Sequence, residues 1–240
     1  MKPNLLVITL VLAFATDVAR AEIAPAAREL AKAVNDKLGS ARTLRLTATH
    51  QLDPALGAGA GYERGPLQFT VKRPNQFYVI QRAGAETREI AFDGQSLCLI
   101  RPGLKHHALE ALKASSISQF ADRVDDRFGF RPPVAELLAE DLATQLFLNV
   151  TSAKITGQES VGGTRCDRLQ FIQPGITGDL WVGINDKLPR RYRLTFTGIP
   201  KSPQWDLQLT KWELNVPVDE RLFSKRAAAD SQKLTMYKSK

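Results

Sequence analysis

Cysteine is scarce: 240 residues hold two, Cys98 and Cys166. That is too few for a disulfide scaffold, and the chain is long enough to bury a core without one. Histidine is nearly as rare, with three residues. His106 and His107 are adjacent, and neighbours on a strand point to opposite faces, so they make a poor metal clamp. There is no His-Glu-x-x-His, no Gly-x-Ser-x-Gly and no glycine-rich phosphate loop after a strand. The acidic pairs Asp125-Asp126 and Glu140-Asp141 fall in charged helical segments and read as solvated surface. Without a nucleophile, a metal set or a cleft of paired acids, the expectation is a protein that is not an enzyme and uses no metal or cofactor.

Long apolar runs are also missing beyond the start of the chain, which excludes a membrane-spanning helix there. The start differs. Lys2 is followed by an apolar run over residues 5–15, then by Ala19-Arg20-Ala21 and Glu22. A positive start, a short apolar stretch and a small-x-small site make a secretory leader, residues 1–21, cleaved near Ala21/Glu22. No cysteine adjoins that site, so no lipid attachment is expected. The mature chain, 22–240, reads as one domain in the periplasm.

What is present in quantity is apolar and basic. Hydrophobic residues make up 43% of the chain, enough for a core, and the formal charge is +8. Losing Lys2, Arg20 and Asp17 with the leader removes two positive charges and one negative, leaving +7. The positive charge is spread without a long Lys/Arg run. Export argues against nucleic acid, which leaves solvated surface, an anionic membrane surface or another envelope protein as its correlate.

Ile23, Ala27, Leu30, Val34 and Leu38 recur at helical spacing before Gly39, predicting a helix over 25–38. The period then becomes two. Leu44 and Leu46, then Leu67, Phe69 and Val71, then Phe77 and Val79 alternate with polar neighbours. Asp93-Gly94 between two such runs predicts a hairpin with a type I′ turn. The stretch 52–61, rich in Gly and Ala, reads as a flexible loop. A helical insert spans about 115–148. Ile117, Phe120, Ala121, Val124 and Phe128 share one helical face, capped by Ser115 or Ser116. After Arg131-Pro132-Pro133, the residues Val134, Leu137, Leu138, Leu142 and Leu146 predict a second helix. Strands return over 153–160, 164–173, 178–184, 190–197 and 204–214, with a hairpin turn at Gly162-Gly163. The tail beyond Phe223 is polar and basic and reads as loosely held. Strands grouped apart from helices define an α+β fold. Some ten antiparallel strands imply a strongly curled sheet whose apolar face needs the helices as cover.

Several phrases together carry a resemblance. They are Gly65-Pro66-Leu67-Gln68-Phe69-Thr70-Val71-Lys72-Arg73-Pro74-Asn75 leading to Phe77-Tyr78-Val79, then Phe92-Asp93-Gly94-Gln95-Ser96-Leu97, and Pro132-Pro133-Val134-Ala135-Glu136-Leu137-Leu138. Gly163-Thr164-Arg165-Cys166-Asp167-Arg168-Leu169 and Leu188-Pro189-Arg190-Arg191 follow. In this order and spacing they resemble a family of predicted periplasmic proteins, a domain of unknown function related to the LolA/LolB-like lipoprotein carriers. The resemblance covers roughly 38–222. It implies a half-barrel of antiparallel strands with helices plugging its mouth, and an apolar cavity that in the carriers shelters acyl chains. A cysteine at Cys166 fits the family phrase, whereas Cys98 does not.

Strand parity supplies the candidate site. One face carries Leu67, Phe69, Val71, Phe77, Val79, Leu97, Leu99, Leu169, Phe171, Leu180, Val182, Leu194, Phe196, Trp205, Leu207 and Leu209. This face is either a packed core or the lining of a cavity. In the second case Ile117, Phe120, Val124 and Phe128 form a lid, with the Gly-rich loop and Arg131-Pro132-Pro133 as hinges. Cys98 and Cys166 fall on the opposite face and pair only if their strands lie close. Arg191 and Arg193 face outward and Tyr192 inward; this basic stripe reads as a charged sheet edge or a surface for anionic headgroups. The expected function is to hold a lipid acyl chain or lipoprotein anchor. The alternative is an envelope interaction or regulatory module without a transported ligand.

Overall fold

The computed structural model describes residues 22–56, 64–83, 86–129 and 134–236. The leader, half of the Gly- and Ala-rich loop (57–61) and the Arg131-Pro132-Pro133 break lie outside the described residues. The elements run β1 (Glu22–Ile23), α1 (Pro25–Gly39), β2 (Thr43–Leu52), β3 (Arg64–Lys72), β4 (Gln76–Ala83), β5 (Glu86–Phe92), β6 (Ser96–Arg101), β7 (His106–Ala111), α2 (Ile117–Phe128), α3 (Ala135–Leu138) and α4 (Leu142–Leu146). Then follow β8 (Ser152–Val161), β9 (Thr164–Gln173), β10 (Ile176–Gly183), β11 (Pro189–Thr195), β12 (Gln204–Leu214) and β13 (Gln232–Lys233).

Among the described residues the thirteen strands form one open sheet in the order β1-β8-β9-β10-β11-β12-β2-β3-β4-β5-β6-β7-β13. Two antiparallel meanders, β2–β7 and β8–β12, are thus joined where β12 pairs with β2. The helical insert is the connection between the meanders. Each end of the chain adds a two-residue parallel strand to an outer edge, β1 on β8 and β13 on β7. Short parallel additions of this kind blunt part of an edge that would otherwise template pairing with another chain.

The helices lie on one face. Buried side chains of all four pack in a single cluster with the inward residues of β2–β4 and β9–β12. Ser116 caps α2, its hydroxyl accepting the Gln119 amide at 3.0 Å. The expected second helix is broken into α3 and α4. Ala139 is extended there, its carbonyl accepts from Arg73, and the Asp141 carboxylate is taken by the Ser118 hydroxyl. Asp125 and Asp126 are exposed as expected, but Glu140 and Asp141 are half-buried at this break and not a solvated face.

Two glycines are required by geometry. The β5–β6 turn has positive φ at Gly94 alone, so it is not the expected type I′ turn; Asp93 instead accepts the amides of Gln95 and Ser96 through its side chain. At Gly178 a Cβ would stand 2.0 Å from Cζ of Phe171, its partner across the β9–β10 pair. Gly178→Ala is therefore expected to displace the ring and lower the unfolding free energy by about 2–3 kcal/mol, read by urea titration. An unchanged midpoint would show that the ring has free room to move.

The tail is a second correction. Phe223 is buried beside Tyr78, Ala91, Cys98 and Ile100 on the face away from the helices. Lys225 pairs with Glu89, Arg226 with Asp93 and Lys105 with Asp230 before β13 joins β7. The segment 223–233 is a docked strap across the outer face, not a loose tail.

Candidate functional site: the helix-covered face

Fifteen of the sixteen parity-selected residues meet in the sheet–helix cluster. Twelve of them are buried, and Val79, Leu194 and Phe196 are half-buried at its margin. Leu99 shares the face but is only half-buried. The four lid residues Ile117, Phe120, Val124 and Phe128 are at most 3% exposed, so in this conformation α2 is seated on the sheet. Its anchor is Phe120, whose ring lies 4.6 Å from Phe77 and 4.5 Å from Phe92, in edge and tilted geometries. Arg127 of α2 also reaches Glu110 of β7 at 2.6 Å.

A polar bond fastens the insert to the centre of the sheet. The Tyr192 hydroxyl donates to Glu136 of α3 at 2.6 Å, while its ring lies between Phe171 and Trp205. Burial, reinforced by the charge and hydrogen bond of Glu136, pushes the phenol well above its ordinary range and keeps it a donor. Tyr192→Phe keeps the packing and removes this donor. The expected loss is about 1.5–3 kcal/mol, with faster hydrogen exchange in α3 than elsewhere. Uniform exchange would show that the bond does not hold the insert.

Beyond α2 the inner face of β4–β7 changes character in steps of two residues. Under the helix stand Phe77, Phe92, Leu97 and Glu110, cross-strand partners in turn. The next row is Val79, Ile90, Leu99 and Ala108, again partners in turn, and the first three are half-buried. The third row is polar. Gln81 pairs with Arg88, and Arg101 with His106. His50 of β2 joins it through contact with Gln81 at 3.0 Å. Rows two residues apart on a strand are separated by about 7 Å. Sequence reading stopped at Val79 and Leu99, the last apolar positions, and missed this rim, although the same alternation continued two residues further would have placed Gln81 and Arg101 on it.

The outer face is also built, but differently. Arg168, Arg191 and Arg193 lie over the Trp181 ring at 5.1, 5.0 and 5.6 Å. Asp179 and Glu159 pair with Arg168, and Asp206 with Arg191 and Arg193. Tyr192 faces inward as parity requires, but β11 is internal and its arginines are neutralised, so the stripe is not a charged sheet edge. Burial alone would raise the Asp206 carboxyl; the hydrogen bonds and charges of Arg191 and Arg193 outweigh it and hold the group below the usual carboxylate range. Its contribution to stability is present above the unfolded-state pKa of about 3.9 and is lost as pH falls through the lower folded value. Asp206→Asn is accordingly expected to flatten the acid limb of the stability profile below about pH 4, measured by denaturant melts across pH. A superimposable limb would assign acid unfolding to other carboxylates.

The two cysteines do not pair. Both are free and buried, Cys98 between β5 and β7, Cys166 between β8 and β10. Parity placed both on the outer face correctly, but the strands are far apart in the sheet order. His106 and His107 do divide between faces; His107 meets Ser231 of the strap at 3.1 Å. Among the described residues no group of three metal-ligating side chains converges, and no helix is long and apolar enough to cross a membrane. A surface depression of about 640 Å³ is lined by Gln158, Gly163, Thr164, Arg165, Ile184 and Asn185, none of them on the apolar face.

This sheet of two meanders under an insert is accompanied by a family match. The chain belongs to the family described as "Predicted periplasmic protein (DUF2092)", whose model matches residues 27–237. Membership places the protein in the periplasm, the compartment expected from the sequence. No curated protein matches it in sequence. Among solved structures it is similar to one in the Pseudomonas aeruginosa MucA/MucB complex, at 15% identity and TM-score 0.49, covering 88% of this chain and 64% of that one. It is similar to the lipoprotein LppX of Mycobacterium tuberculosis at 13% identity and TM-score 0.49, covering 81% and 98%. A LolA superfamily protein of Nitrosomonas europaea gives 9%, a TM-score of 0.35 and coverage of 83% and 97%. Likeness at these levels carries no inference about function.

Proposed function

We propose that the mature chain, residues 22–240, is a single-domain, non-enzymatic periplasmic binding protein whose sheet curls as a half-barrel. It holds a lipid acyl chain or lipoprotein anchor between that sheet and the helical insert. One observation carries this reading: the apolar face continues past its cover, with Val79, Ile90 and Leu99 half-buried in a row beyond α2. Each methylene buried against such a surface contributes about 0.8 kcal/mol, so a long chain is held without catalytic groups or a cofactor. The insert acts as lid, and release of Phe120 from Phe77 and Phe92 would lengthen the groove.

Native mass spectrometry of protein purified from the periplasm, followed by organic extraction, tests the reading. A stoichiometric lipid or acylated peptide is the expected result. A clean apo mass, with no uptake of added fatty acid or lipopeptide, overturns it. That outcome would favour the second reading, an envelope interaction module. Its supporting observation is the pair of exposed residues Leu148 (49%) and Ile172 (42%), whose neighbours Asn149 and Gln173 share a depression with Pro174.

A further inference from the structure

We infer that one end of the β8–β12 meander is a docking surface for an anionic lipid bilayer, where the bound chain enters and leaves. Such a surface rests on the lipid-binding reading and gives it a port of exchange. Antiparallel pairing brings three connections to that end: 147–151 before β8, 173–175 between β9 and β10, and 196–203 between β11 and β12. Of the five exposed large apolar side chains among the described residues, three stand here, Leu148, Ile172 and Ile199. The connections are tied to one another. The Ile172 carbonyl accepts both the amide and the hydroxyl of Thr151, at 2.8 and 3.1 Å, and the Gly198 amide donates to the Gly175 carbonyl at 3.1 Å. Rings of the helix-covered cluster stand close behind the tips: Phe147 before Leu148, Phe171 before Ile172, and Phe196 three residues before Ile199. Apolar surface therefore continues from that cluster to this end of the sheet.

Charge and size select the occupant. In 147–151, 172–175 and 196–203 the single charged residue is Lys201, exposed and without an ion-pair partner among the described residues. No carboxylate stands in these segments to repel lipid phosphates. Glu22 and Asp53 flank them, and the Asp53 carboxylate is taken by the Ala55 amide. Three aliphatic tips present far less than the about 800 Å² that each partner gives to a stable protein interface. A few apolar side chains with one cation suit reversible seating at a bilayer, where shallow insertion and attraction to anionic headgroups add.

Flotation of the full mature protein with vesicles tests this, comparing phosphatidylglycerol–phosphatidylethanolamine with phosphatidylcholine alone. The wild type is expected to bind the anionic vesicles about fivefold more tightly than the neutral ones. Leu148→Ser with Ile199→Ser should weaken binding to both by about tenfold or more, because two inserted aliphatic contacts are lost. Lys201→Gln should remove the anionic preference, whereas Lys113→Gln, beyond β7 at the opposite end of the sheet, should leave it intact. Fatty-acid uptake is measured on the same preparations. Wild-type protein that takes up fatty acid but ignores both vesicles overturns the docking surface alone, and loss of both overturns the lipid reading with it. Equal effects of the two lysine variants, or no effect of the serine pair, would reduce binding to diffuse charge and overturn the assignment. Self-association in sedimentation without vesicles, abolished by the serine pair, would give the patch to a second copy instead. All four substituted side chains are exposed, and the wild-type vesicle comparison decides the matter even where a variant fails to fold.

Discussion

Ending the chain after Leu222 is expected to lower the unfolding free energy by about 5 kcal/mol and to open Cys98 to thiol reagents. Two losses add. Phe223 is 1% exposed, and its burial contributes about 1.5–3 kcal/mol. Removing Lys225 strips Glu89, 6% exposed in the intact protein, of its counter-charge, although the departing strap also lets water reach the carboxylate. Breaking a buried pair on one side costs about 3–5 kcal/mol. The low end applies here, because water reaches Glu89 once the strap is gone and Tyr78 still donates to it at 2.6 Å. Cys98 reports the event independently. Burial pushes its thiol above the ordinary range, with the nearby Arg226 charge opposing, and at 0% exposure it should be inert in the intact protein. Urea melts and the rate of thiol labelling in native buffer check the two halves. An unchanged midpoint with an inert Cys98 would mean that the strap is decoration.

Phe120→Ala should be comparably severe. The ring packs against Phe77 and Phe92 in the interior, and truncation removes its burial and leaves a space at the junction of insert and sheet. The expected loss is about 3–5 kcal/mol. Denaturant titration gives the magnitude, and hydrogen exchange across α2 gives the place. A loss under about 1 kcal/mol would mean that α2 sits loosely enough to collapse into the gap, which is itself what a mobile lid requires. The two measurements together therefore separate a rigid cover from a movable one.

Much of the frame was legible from alternation. The reading placed β9 and β12 at their observed bounds, because both have one apolar side against the core and one polar side against water. The α2 stripe was equally plain, with a capping serine at one end. Most of what escaped shares a cause: it depends on partners distant in sequence. The strap was missed because Phe223 and Lys225 acquire meaning only against Tyr78, Cys98 and Glu89. The break between α3 and α4 depends on Arg73 and Ser118, neither of which lies in that segment. Parity gave the face of each cysteine but not the distance between strands. The arginine rim was hidden for another reason. Polar residues on an inward face look like the end of a strand when only apolar positions are followed.

The seam between the meanders has a consequence for export. β2 is the first long strand among the described residues, and its partner β12 begins at Gln204. A chain threaded across the inner membrane from its N-terminus delivers β2 to β7, then the insert, then most of the second meander before β12 arrives. Through that interval β2 presents an unpaired backbone edge. Non-local pairing of this kind is slow and exposes such edges to aggregation. The fold is therefore open to misassociation along that edge until its last long strand closes the gap.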